Sequence, residues 1–390
     1  MPSIDLAQVL RAMPDERLVG LALAECAPEE RLERAAALLG TLQGTSVEAH
    51  GAREALARGL RGLVREAPET LGAWLDAQWA RSPGADWLCA RLFGWLGDAR
   101  RAEEAWDAVI EREFGPRVDR HLSRARLRLD GGDVASAAHD LREAFRDPTG
   151  HRDLERGARL LAKLRRKGEP LPAKRRVKLA LLGGSTTQLM RPLLELVCFR
   201  DGIDAEVYEP EYGLYRQEVL DRSSGLHRFA PDVVLIATHW RDAQLPPLSE
   251  DPDSVVDGLV SGFEALWEIC RRELRAHVIQ HGFDLPPNES YGGLGKSLAG
   301  GRARVLARAN LELLARAGPG VSILDIAAVA SSCGDAGWGA PGLWYLAKQH
   351  PAPEALGPWA DAVAAQLRAL FGLGKKVLAL DLDNTLWGGV

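Results

Sequence analysis

Two aspartates near the end of the sequence have the spacing of a reactive pair. Asp381 and Asp383 follow an apolar run in the segment VLALDLDNTLWGGV, residues 377–390. If that run is a strand, side chains two residues apart lie on the same side of it. Two carboxylates at one strand end can share a hard divalent cation, or one can act as nucleophile and the other as acid and base. The segment therefore predicts metal-assisted or nucleophilic chemistry.

A second group of polar residues follows apolar runs in the middle of the chain. The runs VKLALLGG, DAEVYEPEYG, PDVVLIATHW, AHVIQHGF and GVSILDIA predict strands, and helical stretches separate them. Such alternation predicts a parallel sheet covered by helices, with ligands bound beyond the carboxyl ends of the strands. The candidate residues at those ends are Ser185, Thr186, Thr187, His239, His281, Asn288 and Asp325.

Each of these candidates also has a simpler interpretation. Ser185 stands at a predicted strand-to-helix turn, where helix amides could hold an anion, but a helix N-cap is equally consistent with a serine there. His239 and His281 are candidates for a metal ligand or a base. A histidine at a strand end can also be a hydrogen-bonded structural residue.

Residues 1–168 have the pattern of packed helices, because Leu and Ala recur three and four positions apart in stretches such as EERLERAAALLGTL. The segment GDARRAEEAWDAVIER begins at Gly97, and GDVASAAHDLREAFRDP begins 35 positions later at Gly132. This pair of similar segments resembles the tetratricopeptide repeat, whose period is about 34 residues. Generic helical hairpins are the alternative. The tryptophans of this region are predicted to be core residues: Trp74, Trp79, Trp87, Trp95 and Trp106.

Composition narrows the class of protein. The 390 residues are 46% hydrophobic and 26% charged, with a formal charge of −5, which is typical of a globular protein and does not favour binding of nucleic acid over the whole surface. Five cysteines without a CxxC pair predict reduced, buried thiols in a cytoplasmic protein. No stretch approaches the roughly 20 apolar residues of a membrane span. The basic stretch AKLRRKGEPLPAKRRVK is predicted to be a linker, with a nucleic-acid patch as the alternative.

The segment LALDLDNTLWGGV resembles two nested groups of proteins. D-x-D-x-T after an apolar strand is similar to the first motif of the haloacid dehalogenase superfamily of phosphotransferases, and the longer string resembles its FkbH-like members (subfamily IIIC). The resemblance implies that Asp381 is the nucleophile and that Asp383 is the general acid and base. It implies that the Asp381 carboxylate and the Asp383 carbonyl hold Mg²⁺. It also implies that Asn384 and Thr385 shape the turn beside the substrate.

The resemblance to FkbH-like proteins extends into the middle of the chain. These proteins commonly carry an SGNH-hydrolase-like domain first, and LLGGSTTQLMRPLLE, DAEVYEPEYG, PDVVLIATHWRD, IQHGFDLPPNESYGGL and WYLAKQH resemble it in the expected order. The resemblance places Ser185 at the nucleophile position. It leaves Thr186, His239 and His281 as further substrate-binding candidates.

This chain departs from the hydrolase pattern in two places. ATHW, residues 237–240, stands where a catalytic Asn is usual, and no D-x-x-H occurs between Ile323 and Gly372. His350 and Asp325 are present, but not at that spacing. Because a serine without a base is a weak nucleophile, we expect a ligand-binding or structural version of the domain.

These features predict an α/β fold preceded by an all-α domain. We assign residues 1–168 to a helical, tetratricopeptide-like region, 169–175 to a linker, 176–372 to an SGNH-hydrolase-like domain with a parallel sheet, and 373–390 to the first strand and motif of a haloacid-dehalogenase-like domain. The superfamily needs a Ser/Thr, a Lys and an acidic pair after the first motif. We therefore expect an N-terminal portion of a longer protein, inactive as a phosphatase by itself, with Mg²⁺ bound only in the complete domain.

Three hypotheses of function follow from the sequence. The first is an FkbH-like enzyme that takes a glyceryl unit from a phosphorylated glycerate-type molecule and loads it on an acyl carrier protein in polyketide or related biosynthesis. The second is a binding or scaffold protein with a degenerate SGNH fold. The third is an esterase or acyltransferase that uses Ser185. None of the three predicts nucleic acid or a membrane as a partner.

Overall fold

The computed structural model describes residues 23, 26–41, 47–81, 85–113, 115–286, 288–375 and 380. The chain forms two compact units. The helical unit comprises Met1–Pro148 and Arg159–Pro172, and the α/β unit comprises Thr149–Ala158 and Ala173–Val390. Four residues predicted to form the phosphoryl-transfer site lie outside the described residues: Asp381, Asp383, Asn384 and Thr385.

The helical unit consists of helices packed around an apolar core. Trp87 and Trp106 are buried in that core, and three further tryptophans are partly buried against it: Trp74, Trp79 and Trp95. The prediction that these side chains are core residues is confirmed. The described helices are α1 (Pro28–Thr41), α2 (Val47–Leu60), α3 (Leu63–Glu66), α4 (Pro68–Arg81), α5 (Asp86–Leu96), α6 (Ala99–Glu111), α7 (Arg117–Asp130) and α8 (Val134–Ala144), while α9 (His151–Arg166) belongs in part to each unit.

The two Gly-Asp segments form turns of the same design. Gly97 and Gly132 have φ of +83° and +89°, in the left-handed region that glycine enters without a steric penalty. The next residue, Asp98 or Asp133, caps the following helix by accepting a hydrogen bond from an amide three residues later, at 3.0 Å in both copies. The alanine four residues after each aspartate is fully buried, which lets α5 pack on α6 and α7 on α8.

The α/β unit is built on a five-stranded parallel sheet of order β2-β1-β3-β4-β5, which confirms the predicted parallel α/β fold. Its strands are β1 (Arg175–Gly183), β2 (Ile203–Tyr208), β3 (Val233–Ala237), β4 (His277–His281) and β5 (Val321–Leu324). Its other helices are α10 (Met190–Arg200), α11 (Tyr215–Leu220), α12 (Gly225–Phe229), α13 (Pro252–Arg272), α14 (Leu294–Ser297), α15 (Arg302–Arg316), α16 (Ile326–Cys333), α17 (Asp335–Trp338), α18 (Pro341–Ala347) and α19 (Leu356–Leu370), with 3-10 turns at Trp240–Ala243 and Pro353–Ala355.

Helices cover the sheet as the continuous apolar runs of its strands require. On one face, α13 and α15 pack on each other and share a core with side chains such as Val234 and Val278. α10 and α19 also pack on each other, α10 against β2 and α19 against β5. Because the strands are parallel, the segments after β1, β3, β4 and β5 emerge at one edge of the sheet. Ser185, His239 and Asp284 lie in three of those segments.

The basic stretch predicted to be a linker, residues 162–178, is mostly regular structure. α9 continues to Arg166, and β1 begins at Arg175. Basic residues in the last turn of α9 are favourable beside the negative end of the helix dipole. Arg176 and Lys178 are exposed, whereas Val177 between them is buried, so the charges of this stretch alternate along the start of a strand.

The structure tests the predictions made for cysteine burial and for membrane-spanning helices. None of the five cysteines, all of which lie in the described residues, forms a disulfide, and four are buried as predicted: Cys26, Cys89, Cys198 and Cys270. The prediction of burial is wrong for Cys333, which is half-exposed in the last turn of α16. Within the described residues, no helix combines the length and apolar character needed to cross a bilayer.

Candidate functional site

The turn after β1 is hydrogen-bonded to the end of α18 and to the segment that follows it. The Ser185 hydroxyl donates to the carbonyl oxygen of His350 at 2.8 Å, and the Thr186 hydroxyl donates to that of Ala347 at 2.6 Å. The Thr186 amide also donates to the carbonyl oxygen of Lys348, at 3.0 Å. The hydroxyl groups of Ser185 and Thr186 therefore join two distant parts of the chain.

A buried carboxylate, Asp284, organises the residues beyond β3 and β4. One oxygen accepts from Trp338 Nε1 at 2.8 Å and lies 2.7 Å from His350 Nε2, while the other accepts from the Trp240 amide at 2.8 Å. Burial would raise the pKa of Asp284, but the hydrogen bond and charge of His350, with the other two donors, hold that pKa below its usual value. Asp284 thus stays ionised in a nearly solvent-free position.

His239 sits in the turn after β3 as a neutral imidazole. Its Nδ1 accepts the Arg241 amide at 3.1 Å, which leaves Nε2 to carry the proton, and the nearest Asp242 oxygen is 3.7 Å from Nε2. Burial, followed by the charge of His350, lowers the pKa of His239 to about 3. Its ring centroid lies 4.8 Å from that of His350 and 5.0 Å from that of Trp344.

Asp242 and Gly184 meet next to this turn. The Asp242 carboxylate accepts the His239 amide at 2.8 Å, and burial raises the pKa of Asp242 to about 6. A Cβ atom on Gly184 would lie 2.1 Å from the Asp242 oxygens, so only glycine allows the chain to pass the carboxylate this closely.

His281, the last residue of β4, is also buried and neutral. Its Nε2 accepts Trp359 Nε1 at 3.3 Å, so the ring has a structural partner. Burial is the main cause that lowers the pKa of His281 to about 3. The hydrogen-bonded structural interpretation of this histidine agrees with these contacts.

Four of these side chains surround a very small cavity of about 10 Å³, which is the volume that one water molecule requires. They are Ser185, His239, His281 and His350. The serine proton is directed to a backbone carbonyl, and Nε2 of the His350 ring is engaged by Asp284. In this arrangement the serine is not activated by a base, and the cavity has no room for an ester.

A larger cavity, of about 200 Å³, shares His350 and Trp338 with the small one. Three indoles, an arginine, the Asp284–His350 pair and small residues of α16 line it. The Arg241 guanidinium carbon lies 4.1 Å from the ring centroid of Trp240 and 4.5 Å from that of Trp344. Burial lowers the pKa of Arg241, although Asp284 acts in the opposite direction. The α/β unit therefore contains a cavity with aromatic walls, lined by one arginine and by the Asp284–His350 pair.

The remaining candidate residues lie apart from these contacts. The Thr187 hydroxyl donates to Glu209 at 2.5 Å. Asp325 caps α16 by accepting the Ala328 amide at 3.0 Å, and Asn288 is exposed in a loop. Among the described residues, no group of three or more His, Cys, Asp or Glu side chains is placed to hold a metal ion.

Sequence reasoning missed the residues that give the site its charge. Asp284 stands three residues after His281, in QHGFDLPP, and a carboxylate so close to a buried strand end was a usable signal. Arg241 follows Trp240 directly, and that pair was visible as an aromatic–cationic step in ATHWRD. Trp344 had no such signal, because it comes from a helix more than one hundred residues later.

Comparisons with known proteins give one informative result. No family model and no curated protein matches the chain. A solved structure is similar: the N-terminal part of the protein BF1531 from Bacteroides fragilis, described as containing a phosphatase domain complexed with Mg. The sequences are 23% identical, the TM-score is 0.52, and the match covers 62% of this chain and 62% of the solved chain. This likeness shows that the two proteins share a fold.

Proposed function

We propose that this chain belongs to an FkbH-like protein that performs Mg²⁺-dependent phosphoryl chemistry. The observation that carries the proposal is the string LALDLDNTLWGGV, in which Asp381 and Asp383 follow an apolar run and are separated by a single residue. The shared fold with a solved protein described as containing a phosphatase domain complexed with Mg is a second support.

In this proposal the two aspartates divide the chemistry. A carboxylate oxygen of Asp381 attacks phosphorus, forming an aspartyl-phosphate, while Asp383 gives a proton to the departing oxygen and then takes one from the attacking water. The Asp381 carboxylate and the Asp383 carbonyl are hard oxygen donors that suit Mg²⁺. When bound there, the ion would offset charge on the phosphoryl group. The resemblance to FkbH-like proteins would give Thr385 a role in shaping the turn that follows the two aspartates.

The wider role in this proposal is acyl transfer. The phosphate comes from a phosphorylated glycerate-type molecule, and the glyceryl unit passes to an acyl carrier protein in polyketide or related biosynthesis. The helical unit supplies a surface for a protein partner, because paired helices of its kind stack into extended binding surfaces. Its two turns of equal design, at Gly97 and Gly132, support a tetratricopeptide-like repeat.

The test uses the complete product of the gene that encodes this chain. We expect Mg²⁺-dependent release of phosphate from p-nitrophenyl phosphate, abolished by EDTA and lowered at least about a hundredfold by Asp381→Asn. Asp253→Asn, at an exposed ion pair with Arg308, is the matched control and should retain activity. Absence of turnover, or full activity of the Asp381 variant, would favour the binding or scaffold hypothesis instead.

We further propose that the SGNH-like α/β unit binds a ligand and does not hydrolyse one. The 2.8 Å hydrogen bond from Ser185 to the His350 carbonyl supports this, because it commits the serine proton to the backbone. Thr186 has a similar fastening role, and His239 and His281 are neutral packing residues in the wall of the small cavity.

Replacing Ser185 by alanine tests this role directly. We expect hydrolysis of p-nitrophenyl acetate to equal the uncatalysed rate in both the wild type and Ser185→Ala. We also expect the variant to lose about 1 kcal/mol of stability through the missing hydrogen bond. Stability is measured by urea denaturation, with Ser223→Ala at an exposed turn as the control. A serine-dependent esterase rate would replace this proposal by the third hypothesis.

A further inference from the structure

The cavity beside His350 has the size of a small metabolite. It holds about 200 Å³, against about 10 Å³ for the cavity beside Ser185, so it has room for a molecule larger than a single water. Its walls are mainly indole rings and small apolar side chains from α16 and the segment before α18. A cavity of this kind, with a few polar groups placed among apolar walls, is typical of ligand sites.

Arg241 is the cation that faces this cavity. Its guanidinium lies over the rings of Trp240 and Trp344, and among the described residues no carboxylate lies within ion-pair distance of it. By contrast, Arg316 of the same unit is paired with three carboxylates. Stacking uses the flat faces of a guanidinium, so the N–H groups on its edge stay available to an acceptor.

Trp240 contributes its indole ring to the same wall, next to Arg241 in the chain. Its Nε1 is buried and has no hydrogen-bond partner among the described residues, so this donor is out of reach of a water-sized group in the cavity. Trp240 therefore adds apolar surface to the wall, and Arg241 is the side chain that can donate to an anion.

The charges around the cavity favour an anion. Asp284 is the one carboxylate among the described residues that line it, and both of its oxygens already accept hydrogen bonds from His350, Trp338 and the Trp240 amide. Two further cations lie over the same indoles: Arg302 is 5.6 Å from the Trp240 centroid, and Lys348 Nζ is 5.3 Å from the Trp344 centroid.

We propose that this cavity binds a small organic anion, either a carboxylate or a phosphate monoester, with its oxygens on the N–H groups at the edge of the Arg241 guanidinium. The carbon skeleton packs against the apolar wall that Trp344 and Trp338 provide. The proposal deepens the function given above, since it names the ligand class of a unit that binds without hydrolysing. It does not depend on the phosphoryl chemistry of Asp381.

Binding is measured on the 390-residue chain by titration calorimetry and by tryptophan fluorescence. The probes are L-lactate for the carboxylate, monoethyl phosphate for the phosphate, and (S)-propane-1,2-diol, which replaces the carboxylate of lactate by a neutral group. We expect saturable binding of at least one anion and none of the diol. The anion that binds more tightly shows whether the cavity prefers a carboxylate or a phosphate head group.

Variants then locate the bound anion. Arg241→Gln should weaken binding of the better probe by at least about tenfold, because a charge-assisted contact is lost. The affinity of Arg241→Lys should lie between those of the wild type and Arg241→Gln, since lysine keeps the charge but lacks the planar fork of N–H groups. Arg302→Gln is the matched control: it removes a cation over the same Trp240 ring that does not line the cavity, and it should change affinity less than about threefold.

Several outcomes would overturn the proposal. One is the absence of saturable binding of both anions to the wild type; another is equal loss of binding in Arg241→Gln and Arg302→Gln, which would indicate general charge attraction. Thermal unfolding of each variant shows whether it is folded, and the Arg241→Lys variant keeps the charge if Arg241→Gln fails to fold. The esterase assay of Ser185→Ala and the phosphatase assay of Asp381→Asn are independent measurements, so failure of either is distinguishable from failure here.

Discussion

Replacing Asp284 by alanine is expected to lower the free energy of unfolding of the α/β unit by about 3 to 5 kcal/mol. The carboxylate is 1% exposed and receives hydrogen bonds from His350, Trp338 and the Trp240 amide. Its removal leaves three buried donors without an acceptor, and a donor left in that state costs about 1 to 3 kcal/mol. Urea denaturation of the wild type and the variant measures the difference.

Asp325→Ala is the matched control for this substitution. Asp325 also follows a strand of the sheet, but it is exposed and accepts one amide hydrogen bond as a helix cap. Loss of such a cap costs about 1 kcal/mol. Equal destabilisation by the two alanine variants would contradict the role assigned to the buried network around Asp284.

A double-mutant cycle separates the Asp284–His350 pair from the other donors. If the 2.7 Å contact is strong, His350→Ala should cost much less in the Asp284→Ala background than in the wild type. We expect a coupling energy of at least about 1 kcal/mol, as for residues within one hydrogen-bonded network. Additive effects would mean that Trp338 and the Trp240 amide carry most of the contribution of Asp284.

The strands of the α/β unit were predictable because each carries its own local signal. β1 and β3 are buried along most or all of their length, and their continuous apolar runs ended at glycine or at polar residues. Such runs bury both faces, which a parallel sheet between helical layers requires. The helical unit gave an equally local signal in its alternating Leu, Ala, Arg and Glu residues.

The hydrogen bonds of the site were not predictable from local pattern, because they join distant parts of the chain. Ser185 and His350 are separated by 165 residues, and Asp284 and His350 by 66. The D-x-x-H spacing predicts an acidic partner three residues before a histidine, whereas the carboxylate that contacts His350 is Asp284, in the segment after β4.

His281→Gln is expected to make the α/β unit more resistant to acid. The pKa of His281 is 6.5 as an ordinary histidine and about 3 in the folded protein, chiefly because burial opposes the charged ring. Between these values the unfolded chain binds a proton that the folded chain does not, so stability falls as pH falls below 6.5. From about pH 7.5 to pH 5, this histidine alone removes about 2 kcal/mol.

Other groups nearby also titrate, which is why the comparison is made between variants. His239 contributes with the same sign, because its pKa is also lowered to about 3. Asp242 opposes both: its pKa is raised to about 6, so the folded chain keeps a proton that the unfolded chain has lost, and stability rises as pH falls from 6 towards 3.8. His281→Gln removes the contribution of His281 to the pH dependence of stability and leaves those of His239 and Asp242 unchanged.

The measurement is the free energy of unfolding in urea at about pH 7.5 and pH 5, for the wild type, His281→Gln and the exposed His139→Gln as control. Glutamine offers Trp359 an acceptor but never carries the charge. The wild type and the control should lose about 2 kcal/mol more than His281→Gln between the two pH values. If all three lose the same amount, protonation of His281 does not limit the acid stability of the fold, and the neutral state assigned to this buried ring is wrong.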